Sequence, residues 1–144
     1  MKYNIIGLRN DEILNWRFNK LSYRNYECYN LIKNNIVKGF LALRVLDMKA
    51  FKALAIVDIA AEEEESYKCL LNFSHNKALD YKCDLISVLF NPELSVVEYF
   101  KSSGYRKTPE SFSLIVHKPR NSNISFDYSV LKNWYITWFD HDYV

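Results

Sequence analysis

Glycine and proline are scarce, with three of each among 144 residues. That scarcity excludes collagen-like, linker-rich and glycine-loop-rich architectures. It also leaves few residues for a loop that cradles phosphate. Cysteine is equally sparse: Cys28, Cys69 and Cys83 are odd in number, widely spaced and form no C-x-x-C pair. This pattern fits free thiols in a reducing cytosol, not a disulfide framework. A charge excess is missing too. Nineteen basic and seventeen acidic residues leave a net charge of +2, short of the basic surplus that marks nucleic-acid binders. No run approaches the ~18 apolar residues of a membrane span. The opening MKYNIIGLRNDEIL has neither the apolar core nor the cleavage site of a signal peptide. The expectation is a soluble, cytoplasmic protein with no nucleic-acid or membrane partner. What is plentiful is apolar: hydrophobic residues make up 49% and aromatics 16% of the chain. A chain of this length can bury a proper core, so residues 1–144 are expected to fold as one domain.

Hydrophobic periodicity divides the chain into elements. Residues 10–19 read as a short helix capped by Asn10 or Asp11. Residues 25–32, 38–46 and 52–60 read as three strands of an antiparallel meander, with Asn34, Asn35 and Gly39 supplying turn chemistry. The third strand is apolar almost throughout, as a central strand covered on both faces would be. Residues 62–80 form the clearest helix, with Tyr67, Leu70, Leu71 and Ala78 at helical spacing. Residues 84–90 read as a buried strand and 93–102 as a helix ended by Gly104 at positive φ. Residues 111–118 and 133–139 read as further strands. A strand–helix–strand unit over 52–90 predicts a right-handed parallel crossover. The fold class is therefore α/β (α+β): a mixed, mainly antiparallel sheet with a central parallel pair and helices on both faces. The two strands of the pair should splay near Asp58 and Phe90 to open a cleft, and the sheet should turn antiparallel again at its end.

Several side chains could carry chemistry. Asp58 ends the central strand, at the sheet edge that faces ligands in folds of this kind. It could take a proton from an ammonium substrate, or simply cap the next helix. Arg17, between Trp16 and Phe18, could clamp an anion with its planar fork or anchor the first helix. Asp140 and Asp142 lie on one side of an extended segment. They could line a cleft for polar substrate groups or bond to Arg17. No second cluster completes a metal shell around them, so no metal is expected. Glu62 to Glu65 open the long helix, where carboxylates complement the dipole.

The order of elements, with four short stretches, resembles the GNAT (Gcn5-related N-acetyltransferase) superfamily, and more narrowly the C-terminal module of GNAT-type proteins of bacterial polysaccharide gene clusters. The stretches are Leu14-Asn15-Trp16-Arg17-Phe18, Ala55-Ile56-Val57-Asp58-Ile59, residues 99–105 (YFKSSGY) and residues 133–142 (NWYITWFDHD). The resemblance implies transfer of an acetyl or other acyl group from acyl-CoA to a small amine, such as an amino sugar. It places the cofactor's diphosphate at the strand-to-helix connection, here Ile59, Ala60, Ala61 and Glu62, and a general-acid Tyr near Tyr99. The sequence departs from the family pattern at both places. The connection has no Arg or Gly and runs into four Glu, and the expected Tyr position holds Phe100, with Tyr99 beside it. Two functions stay open: an acyl-CoA-dependent N-acyltransferase with a degenerate diphosphate loop, and a catalytically silent GNAT-like module for recognition or oligomerisation. In the second, an exposed aromatic terminal strand could pair two copies into a homodimer.

Overall fold

The computed structural model describes residues 5–109, 112–117 and 127–141. Its centre is a four-stranded sheet in the order β2-β3-β4-β5. The strands are β2 (Glu27–Lys33), β3 (Ile36–Asp47), β4 (Lys52–Ala61) and β5 (Leu85–Val88). The first three form an antiparallel meander, and β4 and β5 run parallel. Asn34 and Asn35 both adopt positive φ, 53° and 60°, and close the β2–β3 hairpin in two residues. Asn tolerates that left-handed conformation, which suits the twist of the flanking strands. Gly39, expected in a turn, lies within β3 opposite Ala61. The parallel pair is bridged by helix α2 (Glu64–Asp80), which packs on β3 and β4.

Each sheet face has its own core. On one side Leu41, Leu43, Leu54, Ile56 and Ile59 meet Tyr67, Leu70, Leu71 and Ala78 of α2. The short helix α3 (Val97–Ser102) adds Phe100 to the same cluster. On the other side Ala42, Ala55 and Val57 meet Phe18 and Phe139. Phe18 comes from a π turn, Trp16–Lys20, that continues helix α1 (Asp11–Asn15). The wide turn lets the adjacent residues Arg17 and Phe18 both be buried. Helices thus cover both faces, as the apolar run of β4 requires.

The end of the chain departs from expectation. Residues 112–117 carry no regular strand; residues 111 and 118 lie outside the described residues. The terminal strand shrinks to β6 (Trp134–Tyr135), which pairs in parallel, not antiparallel, with β1 (Ile5–Ile6). Tyr135 is 1% exposed, so this strand is no free aromatic edge. Three carbonyl contacts explain the change: Asn91 Nδ2 donates to Leu131 and Trp134 oxygens, and Trp134 Nε1 donates to the Tyr128 oxygen. They hold the segment as an irregular arm. Among the described residues no helix is long and apolar enough to cross a membrane.

Candidate functional site

The site begins with one extra residue in β4. Ile56 pairs with Leu43 and Asp58 with Ala42, so Val57 has no partner of its own. This β-bulge breaks the alternation of faces. Leu54 and Ile56 point at α2, and a regular strand would send Asp58 the same way. The bulge turns it instead to the face of Ala42 and Phe18. An ionised carboxylate among the α2-side leucines would be costly; on the other face it finds partners.

Asp58 is 1% exposed and nearly saturated with hydrogen bonds. Arg9 Nε donates to Oδ2 at 2.8 Å and Nη2 to Oδ1 at 3.3 Å. The Thr137 hydroxyl donates to Oδ1 at 2.9 Å. Arg9 also reaches Asp140 Oδ2 at 3.0 Å and the Gly7 carbonyl at 2.9 Å, and its guanidinium lies over the rings of Phe139 and Tyr135. Asp140 in turn accepts from the Thr137 amide and caps the 3-10 turn Trp138–Asp140. A Cβ on Gly7 would collide with the Asp140 carboxylate, so that scarce glycine admits the pair. Burial is the largest influence on Asp58 and lifts its carboxyl above the ordinary range, against the pull of Arg9 and Thr137. Burial also opposes the Arg9 charge, but Asp58 and Asp140 outweigh it and raise its pKa. Asp58 therefore holds the Arg9 guanidinium and has no open side from which to receive an ammonium.

Sequence reasoning missed Arg9. The residue reads as a neighbour of the Asn10 cap, whose Oδ1 does accept from the Ile13 amide. Its only signal was a lone Arg between Gly7-Leu8 and the helix, with no basic partner or ligand motif around it. Arg17 is 3% exposed; its Nη2 donates to the carbonyls of His141 at 2.7 Å and Trp138 at 3.4 Å. It ties the helical region to the arm. Asp142 lies outside the described residues.

The strand pairing of β4 with β5 ends at Ile56 and Val88, while β4 runs on to Ala61. The ladder thus stops where the splay is expected, and the arm bridges the two ends. Asn91, just past β5, holds the arm through the Leu131 and Trp134 carbonyls. Thr137 holds it to Asp58 of β4. Between these points Tyr135 enters the α2-side core and meets Phe90 edge-on at 5.3 Å.

The expected cofactor residues are arranged differently from a phosphate loop. Ile59, Ala60 and Ala61 remain strand, paired with Leu41, Phe40 and Gly39, and Ile59 is fully buried. Only Glu62 and Glu63 separate β4 from α2. Glu62 pairs with Lys38, and Glu64 pairs with Lys68. Tyr99 sits on α3, half-buried against Tyr67 of α2 at 5.7 Å. It lies on the α2 side of the sheet, so the structure does not bring it together with Asp58 and Asp140. Among the described residues no group of three His, Cys, Asp or Glu stands close enough to hold a metal ion.

No protein-family model matches the sequence, and no curated protein matches it either. Solved structures do match the fold. A single-residue mutant of TTHA1254 from Thermus thermophilus superposes with a TM-score of 0.57 at 16% identity, over 83% of this chain and 100% of that one. A protein described as a probable acetyltransferase gives 0.54 at 15% identity, over 69% of this chain and 74% of its own. A proposed acetyl transferase from Pyrococcus furiosus gives 0.50 at 18% identity, over 69% of each chain. These likenesses rest on the folded core and not on sequence, and the chain has the GNAT-like fold.

Proposed function

We propose that this chain is a catalytically silent GNAT-fold module, serving recognition or assembly, and not a working N-acyltransferase. The observation that supports this most is the arm across the end of the β4–β5 ladder, where Tyr135 packs on Phe90 in the place an acyl thioester would need. Two further features agree. The β4–α2 connection offers two glutamates where a diphosphate needs free amides and no negative charge. The candidate base Asp58 is bound to Arg9 and Thr137. Proton transfer by a placed group contributes roughly 10²–10⁴-fold in rate, and neither Asp58 nor Phe100 supplies it.

A second reading is favoured by one observation. Beyond Ile56, β4 has no strand partner on its β5 side among the described residues, and its bulge lies there. Amides in such a place can polarise a thioester carbonyl. On this reading the chain is an acyl-CoA-dependent N-acyltransferase acting on a small amine or amino sugar, with Tyr99 as acid. Calorimetric titration with acetyl-CoA, together with a thiol-release assay on glucosamine, separates the two. The silent module shows no saturable heat below about 1 mM, a level worth about −4 kcal/mol of binding, and no release above the uncatalysed rate. Saturable binding with turnover that is lost in Tyr99→Phe would establish the enzyme instead.

A further inference from the structure

Strand β2 forms one edge of the sheet, and among the described residues nothing pairs with its outer side. Such an edge presents a row of backbone donors and acceptors, and native proteins usually blunt it. This one carries no proline. Its exposed residues alternate as Cys28, Asn30 and Ile32, and Ile32 is 61% exposed. Ile36 and Val37, at 57% and 56% exposure, extend the apolar surface around the hairpin tip.

We propose that β2 is a homodimer interface, pairing antiparallel with β2 of a second copy about a two-fold axis at Asn30. The strand's own charges set the register. Residues Glu27–Lys33 begin with an acid and end with a base. Centred on Asn30, the pairing sets Glu27 against Lys33 of the second copy at one end, and repeats that contact at the other. Cys28 then faces Ile32, and Tyr29 faces Leu31. A shift of two residues in either direction leaves Lys33 without an opposite charge and shortens the ladder, although Glu27 keeps the hydroxyls of Tyr29 and Tyr81 in its own chain. Opposite charges directly across an antiparallel pair are favourable, and like charges are not. An isologous contact of this kind closes on itself and gives a dimer, not a fibre. Helix α2 packs mainly over β3 and β4 and reaches β2 only through its sheet face, with Phe73 and Lys77 on Tyr29, so the outer backbone edge stays open to a second sheet. This interface is independent of whether the chain binds acyl-CoA.

The test uses the full chain in sedimentation equilibrium, with Lys33→Glu and Lys33→Arg beside it. The wild type and Lys33→Arg should be dimers at tens of micromolar. Lys33→Glu places like charges at both ends and should weaken the dimer by about tenfold. Separately, Asn30→Cys in a chain whose native cysteines are changed to Ser should form a disulfide-linked dimer on mild oxidation, because opposed Cβ atoms lie about 4.5–5.5 Å apart. Asn72→Cys, on the exposed side of α2, should not. Circular dichroism confirms that each variant is folded. A wild type that stays monomeric, a Lys33→Glu chain that dimerises as the wild type does, or a dimer that Asn30→Cys fails to link would overturn the proposal. A monomer would leave the edge to a different partner.

Discussion

At the scale of single residues, the decisive object is the Arg9–Asp58 pair. Asp58 has 1% side-chain exposure and Arg9 13%. Removing one member of a buried pair strands the other's charge, which costs about 3–5 kcal/mol. Arg9→Met should therefore destabilise the chain by about that amount in urea melts. Asp58→Asn should cost less, since burial already favours a neutral group there and an amide oxygen still accepts from Thr137 or Arg9. The pH response has two opposite contributions. Asp58, raised by burial, favours the fold most on the acid side, and that contribution is lost as pH rises through its folded value. Glu27 works the other way. Burial pushes its carboxyl up, but the hydroxyls of Tyr29 and Tyr81 and the ammonium of Lys77 together hold it below the ordinary range. The Tyr29 hydroxyl is pushed up to about 12, by burial first and then by Glu27. Stability from a depressed carboxyl is present above its unfolded value and lost as pH falls through the folded one. Glu27→Gln should thus lower the melting temperature at pH 7 and flatten its decline between about pH 5 and 3. An acid limb as steep as that of the wild type would remove Glu27 from the account.

Elements show why some of the fold was legible and some was not. Helix α2 was readable because its apolar residues keep one helical period, and strands β4 and β5 because each is a short apolar run between polar boundaries. Gly104 was readable for a local reason. Its φ is 92°, its amide donates to the Lys101 carbonyl, and the Tyr105 amide donates to the Phe100 carbonyl. Phe100 and Tyr105 then pack ring to ring at 5.4 Å. That set of bonds and the apolar contact form a Schellman close. Gly104→Ala should cost about 1 kcal/mol in thermal melts, from the left-handed backbone alone, because nothing lies within 4 Å of the added carbon. The β4 bulge was not readable. Val57 looks like one more member of an apolar run, and only the β3 partner reveals that it is unpaired. The aromatic content of residues 133–139 suggested a strand, but the segment's carbonyls go to the Asn91 and Arg17 side chains, which no local pattern foretells. Arg9 and Asp58 are 49 residues apart, so their pairing depends on tertiary structure.

For the molecule as a whole, the GNAT-like fold and its use of the splay are separable. The meander, the crossover and the divergence of β4 from β5 come from burial on two sheet faces. What enters the divergence is decided by the arm, and there Tyr135 is the principal side chain. It is 1% exposed, packs on Phe90, and lies under Arg9. Replacing a buried aromatic by a small residue costs about 3–5 kcal/mol and leaves a cavity in its place. Tyr135→Val puts a β-branched residue suited to a strand in β6 while opening the space between β4 and Phe90. If the arm is what closes the cleft, this variant should bind acetyl-CoA, or the shorter acetyl-pantetheine, with saturable heat where the wild type shows none. The pantetheine compound is the more telling ligand, because it carries no diphosphate for Glu62 and Glu63 to repel. Saturation by acetyl-pantetheine alone would assign the arm as the first barrier and the glutamates as the second. A folded Tyr135→Val chain that binds neither thioester would show that the opening lacks the donors a thioester needs, whatever fills it.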